Sequence, residues 1–174
     1  MSEDISEQLV SLLPRLRRFA TGLTGNLSEA DDLVQLSCEK ALRKQHQWQA
    51  GTRLDSWMYR IIQTTWIDLK RRQRSDTVSL EAEAVPEAPD RRSEHAAENH
   101  NMLDRVSQVL DLLPEDQRVV MLMIAVEGRS YQEVSDMLEV PKGTVMSRLY
   151  RARSRIQAEL GSSDGIEQDG EKTQ

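Results

Sequence analysis

Cysteine occurs once in the 174 residues, at Cys38, which excludes an intramolecular disulfide, a CxxC redox pair and a cysteine-based zinc site. Glycine (8) and proline (5) are scarce, and helix formers dominate, so the many tight turns of an all-β sandwich are not provided for. Aromatics make up only 4% of the chain, which leaves few large anchors. No apolar run approaches the ~18 residues that span a bilayer. The first nine residues hold Glu3, Asp4 and Glu7 rather than the basic start and apolar core of a signal peptide, so a cytoplasmic location is expected. There is no HExxH, no glycine-rich phosphate loop and no nucleophile in a recognised setting, and His46, His95 and His100 are scattered. No catalytic residue, metal site or cofactor is therefore expected; the chain does not read as an enzyme.

What is present is charge, unevenly spread. The net charge of −6 would argue against a nucleic-acid partner if it were uniform. Residues 11–75 instead carry twelve cations against six acids, a net +6, while residues 76–100 carry two against seven, a net −5. The start (1–10) and the tail (161–174) are each −3. Such asymmetry suggests a polyanionic partner. The stretch Ser75 to Arg92 has Pro86 and Pro89 and no sustained helical stripe, which is linker composition. The reading is all-α: a first domain over 1–75, a flexible acidic linker over 76–100, a second domain over 101–160 and a disordered acidic tail over 161–174.

In the first half, Leu9, Leu12, Leu13, Leu16, Phe19 and Leu23 mark one face of an amphipathic helix, with Pro14 either starting or kinking it. Ser28 reads as the cap of a second helix, whose buried stripe is Ala30, Leu33, Val34, Cys38, Ala41 and Leu42. Cys38 on that stripe reads as a core thiol. A third helix starts at Asp55-Ser56, with Trp57, Ile61, Thr64 or Thr65 and Leu69 along one side. Its end holds Lys70, Arg71, Arg72 and Arg74 with no acid among them, downstream of Trp57, Tyr59 and Trp66. One or two cations serve a helix's negative end; four beside aromatics suit phosphate neutralisation and base stacking.

In the second half, Met102, Val106, Val109, Leu110 and Leu113 form a stripe, and Pro114-Glu115-Asp116 opens a helix that stops at Gly128. Ser130-Tyr-Gln-Glu133 is a capping box that opens a short helix, with Val134 and Leu138 inward. Val140 to Gly143 breaks the chain, and Thr144 opens a final helix with Val145, Leu149, Ala152 and Ile156 on one face. Two short helices across a tight turn form a helix-turn-helix, whose second helix fits a DNA major groove. Residues 142–155 hold Lys142, Arg148, Arg151, Arg153 and Arg155 and no acid, with Arg148, Arg151 and Arg155 as an expected outward stripe. Thr144, Ser147 and Arg148 are placed for base edges and the later arginines for phosphates.

Taken together, these motifs resemble the extracytoplasmic-function (ECF) sigma factors of the sigma-70 superfamily. Leu113-Pro-Glu-Asp-Gln-Arg118, Tyr131-Gln-Glu-Val-Ser135 and Pro141-Lys-Gly-Thr-Val-Met-Ser-Arg-Leu-Tyr-Arg-Ala-Arg153 are similar to their region 4. Glu29-Ala-Asp-Asp-Leu-Val-Gln35 with Lys40-Ala-Leu42, then Trp57-Met-Tyr-Arg-Ile61 and Ile67-Asp-Leu-Lys-Arg-Arg72, are similar to region 2. The likeness covers about 130 of the 174 residues. It implies that Asp31, Asp32, Leu33, Val34 and Gln35 dock on the β′ clamp helices of core RNA polymerase, with the β flap as a further contact. It implies that Trp57, Tyr59, Arg60, Thr64, Lys70, Arg71, Arg72 and Arg74 bind and open the −10 element; Trp57 reads equally well as core. It assigns Lys142, Thr144, Ser147, Arg148, Tyr150, Arg151 and Arg155 to the −35 element. Thr64, Trp66 and Met146 depart from the residues frequent at those places in the family.

The function implied is an alternative sigma factor that recruits core polymerase to promoter DNA and promotes melting, with an anti-sigma factor as a further partner and no membrane insertion. A sigma mimic that captures an anti-sigma factor without touching DNA has no need for the cationic stretches. A dimeric helix-turn-helix regulator leaves the first half unexplained.

Overall fold

A computed structural model of the chain describes residues 5–49, 51–80 and 107–163. Those residues are helical with short connections and contain no strand. The chain divides into two compact units, Met1–Arg105 and Val106–Gln174. The expected linker beyond residue 80, the tail beyond 163, and Met102 and Val106 lie outside the described residues.

In the first unit, α1 (Ile5–Thr24), α2 (Leu27–Arg43) and α3 (Leu54–Leu80) pack on one another. α1 turns inward Ile5, Leu9, Leu16, Phe19, Ala20 and Leu23. Pro14 lies inside α1 and so does not start it. Gly25, at φ 72, takes the left-handed conformation that ends the helix. The cap of α2 is Asn26, not Ser28: its side chain accepts from the amides of Ser28 (2.8 Å) and Glu29 (3.1 Å). The helix begins two residues earlier than a Ser28 cap would allow, which puts Ser28 inside the first turn.

The inward face of α3 also differs from expectation. It is Leu54, Met58, Tyr59, Ile62, Thr65 and Trp66, all buried, rather than Trp57, Ile61 and Leu69; of the two threonines left open, Thr65 is the inward one. Tyr59 meets Phe19 edge-to-face at 5.0 Å and 83°, a geometry worth about 0.5–1.5 kcal/mol beyond its area. Lys40 Nζ donates to Thr65 Oγ1 at 3.1 Å and ties α2 to α3. α3 runs to Leu80, past the residue 75 at which the first domain was expected to end.

In the second unit, helical residues 107–111 lead into α4 (Glu115–Met121), α5 (Tyr131–Leu138) and α6 (Lys142–Ser163). Val119 through Met123 are five consecutive buried residues, the sign of a helix surrounded by its neighbours. α4 widens into a π turn over Leu122–Val126, where the amide of Glu127 bonds Leu122 O at 3.1 Å. Gly128 (φ 64) then reverses the chain, and the amide of Arg129 reaches back to Met123 O at 3.0 Å.

The capping box of α5 forms as expected: Ser130 Oγ accepts from the amide of Glu133, and the Glu133 carboxylate accepts from the amide of Ser130. Buried Ser135 then stitches the turn, donating to Val140 O at 2.7 Å while its own carbonyl accepts from the Val140 amide. Glu139 makes that turn at φ 53. The final helix starts at Lys142 rather than Thr144, because the Pro141 carbonyl already accepts from the amides of Thr144 and Val145. Val145, Leu149 and Ala152 are buried beneath it, with Ile156 half-buried.

Candidate nucleic-acid and partner interfaces

The five residues at the start of α2 separate by direction. Ala30, Leu33, Val34, Ser37 and Ala41 form its buried stripe, so Leu33 (1% exposed) and Val34 are core residues and not a free docking surface. Asp31, Asp32 and Gln35 remain exposed. Asp31 is held from α1: Arg17 donates Nε to Oδ1 at 2.7 Å and Nη2 to Oδ2 at 2.8 Å. This fork fixes the carboxylate plane, though an exposed pair of this kind adds only about 0.2–1 kcal/mol of stability.

On α3, Tyr59, expected in the −10 set, is 1% exposed, so its ring packs in the core and is not presented as a stacking surface. Trp57 is half-buried, and Arg60, Thr64 and Arg71 are exposed. Their spacing of three, four and seven puts all four on one outward face, opposite the core. Thr64 Oγ1 donates back to the carbonyls of Arg60 and Ile61, so its outward offering is an acceptor and a methyl group. Arg71 Nη2 donates to Asp68 Oδ1 at 2.8 Å, an acid one turn upstream of the cationic cluster. Arg72 and Arg74 are exposed and Lys70 is half-buried.

The arginines of α6 do not form one outward stripe. Arg148, with 24% of its side chain exposed, pairs with Asp116 of α4 at 2.9 Å. Arg155 Nη1 donates to Leu112 O at 3.2 Å. Both therefore turn towards the start of α4, because residues 148 and 155 flank the core face of α6 on that side. Arg151 lies further round; its Nε and Nη2 meet the carbonyl and hydroxyl oxygens of Ser147 at 3.3 and 3.2 Å, which lays it along the exposed surface. Tyr150 is 73% exposed, Lys142 is exposed and Thr144 is half-buried.

Three contributors escaped the sequence reading. Arg17 was legible only from the pairing of α1 against α2, and Asp116 only from the packing of α4 on α6. Arg118 is almost fully buried; its Nε donates to Leu110 O at 2.7 Å and its Nη2 pairs with Asp111 Oδ1. With Arg155 it closes the carbonyl end of the 107–111 helix, where cations are favoured. Cys38 is half-buried, and burial pushes its thiol pKa up, so at neutral pH it is a poor nucleophile. Among the described residues no helix is long and apolar enough to cross a membrane, and no His/Cys/Asp/Glu cluster is arranged to hold a metal ion.

Known proteins are similar to this chain along both units. Residues 9–76 match the model of sigma-70 region 2, and residues 103–156 match that of sigma-70 region 4. The ECF RNA polymerase sigma factor EcfG of Rhodopseudomonas palustris is 29% identical over 170 residues, covering 98% of this chain and 92% of that protein. SigE of Mycolicibacterium smegmatis, also an ECF RNA polymerase sigma factor, is 31% identical over 145 residues, covering 82% of this chain and 56% of that one. Among solved structures, the sigma factor RpoE in complex with the anti-sigma factor NepR from Bartonella quintana superposes with a TM-score of 0.74 at 27% identity, over 91% of this chain and 97% of RpoE.

Proposed function

The chain belongs to the ECF branch of the sigma-70 family, a non-enzymatic sigma factor of transcription initiation, and on that premise we propose that it carries core RNA polymerase to a two-part promoter and helps to open it. The observation that carries this reading is the outward face of α3, where Trp57, Arg60, Thr64 and Arg71 line up away from the core and lead into the exposed cations Arg72 and Arg74. Separating strands costs about 0.6–2.2 kcal/mol per stacked step, and stacking one base on an aromatic ring returns about 1–3. A half-buried indole with cations for the phosphates on either side is suited to holding an unpaired strand without ATP. Region 2 over 1–75 would thus take the −10 element, and region 4 over 101–160 the −35 element through Thr144, Ser147, Tyr150 and Arg151 of α6.

Docking on polymerase falls to Asp31, Asp32 and Gln35, with Leu33 and Val34 supporting the helix from beneath. The RpoE–NepR complex supports an anti-sigma factor as a further partner. Run-off transcription with purified core polymerase on promoters of the source genome tests the proposal. Specific transcripts are expected only when this protein is added. If none appear, and the chain binds an anti-sigma factor without binding core polymerase, the mimic reading replaces this one.

A further inference from the structure

On the second turn of α6 stands Met146, 51% exposed, with Tyr150 one turn on. Positions 142, 146, 150 and 153 are helical neighbours, so an apolar strip of Met146 and Tyr150 runs between the exposed cations Lys142 and Arg153. Gly143, also adjacent to Met146, is unusual in a different way. Its φ is not in the left-handed range, and a Cβ built on it would meet no atom within 4 Å. Neither the backbone nor the packing requires glycine there, and glycine is the poorest helix former after proline. The missing side chain leaves the helix backbone open on this exposed surface.

We propose that Met146 reads the 5-methyl group of a thymine in the −35 element, and that Gly143 lets the edge of the groove approach the helix closely enough for that contact. The inference rests on α6 being the helix that enters the major groove. Early residues of such a helix reach base edges. Methionine brings neither charge nor a strong hydrogen-bonding group, so its contribution there is van der Waals contact and desolvation. In the major groove the apolar group that distinguishes one base from the others is the thymine methyl. Lys142 and Arg153 would neutralise phosphates on either side, fixing the depth of insertion without adding sequence information.

The test uses the full chain assembled with core polymerase. A promoter is selected from duplexes randomised over the −35 segment, and each thymine of both strands is then replaced in turn by deoxyuridine, which lacks only the methyl. With the unaltered protein, one replacement should weaken binding about three- to fivefold, the worth of one buried methyl group. With Met146→Ala that penalty should vanish while other positions keep theirs. Gly143→Ala should melt at the same or a higher temperature and yet bind the selected promoter severalfold more weakly. A thymine-to-uracil profile that does not depend on residue 146, or a Gly143→Ala protein with unaltered affinity, overturns the inference. Failure to select any sequence is a different result: it removes the reading of α6 as a recognition helix and the inference with it.

Discussion

The two units dispose of their arginines differently. In the first, the core is complete without them: Phe19, Tyr59, Met58, Ile62 and Trp66 fill the space between three helices, and the cations at the end of α3 lie outside it. In the second, Arg118, Arg148 and Arg155 enter the fold as ties to Leu110, Asp111, Asp116 and Leu112. A guanidinium carries five donors and can fix one segment against the next where a carboxylate or a free carbonyl stands within reach. Clusters of positive charge in sequence therefore mean different things. At the end of α3 they describe a surface, and in region 4 they describe partly a surface and partly a scaffold.

The largest effect expected to sharpen this contrast is at Tyr59. Tyr59→Ala should destabilise the protein by about 3–5 kcal/mol by urea denaturation, the cost of emptying a buried aromatic site. Tyr59→Phe should melt promoters nearly as well as the unaltered protein. If Tyr59→Phe folds but fails to open the −10 element, the hydroxyl has a role at the strand that its burial denies. Next is Arg118→Ala, which removes the guanidinium from Asp111 and one of two donors from the Leu110 carbonyl and empties a buried site; a loss of about 2–3 kcal/mol is expected. An unchanged urea midpoint would mean that the tie is dispensable.

Smaller effects divide α6 itself. Arg151→Ala should reduce the slope of log K against log salt for promoter binding by about one unit, as loss of a phosphate contact does. Arg148→Ala should leave that slope alone and cost about 1 kcal/mol of stability. Equal slopes for the two variants would return Arg148 to the DNA. Smallest is Glu139→Gly in the helix-turn-helix turn. A non-glycine residue at φ 53 is strained, so the variant should gain about 0.5–1 kcal/mol in chemical denaturation. A loss there would point to a stabilising role for the glutamate side chain.

Much of this organisation was legible in the residues. The capping box at Ser130, the glycine stop at Gly128 and the inward face Val145–Leu149–Ala152 depend on local rules, and local rules read well from sequence. The face of α3 did not. Trp57, Ile61 and Thr64 recur at helical spacing as regularly as Leu54, Met58, Ile62 and Thr65, and only packing against α1 and α2 selects the second set. The cap of α2 shifted because Asn26 and Ser28 are both good acceptors and the turn at Gly25 decides between them. Arg148 read as outward because its carboxylate partner stands 32 positions earlier, where periodicity carries no information. For the candidate sites the pattern is the same: Asp32, Thr64 and Tyr150 are exposed, and Leu33 and Val34 buried, where their spacing puts them, while Tyr59 was assigned by residue type and motif and belongs to the core.

The central claim is that region 2 opens the −10 element with cations that lie outside its core, while region 4 holds the −35 element separately. Replacing Arg71 and Arg72 by Glu and following a fluorescent base in the −10 element, with polymerase and full promoter present, tests it most directly. The account predicts that the rise in fluorescence on opening is lost while the −35 footprint and the urea midpoint are retained. Opening at the unaltered rate and extent would contradict it.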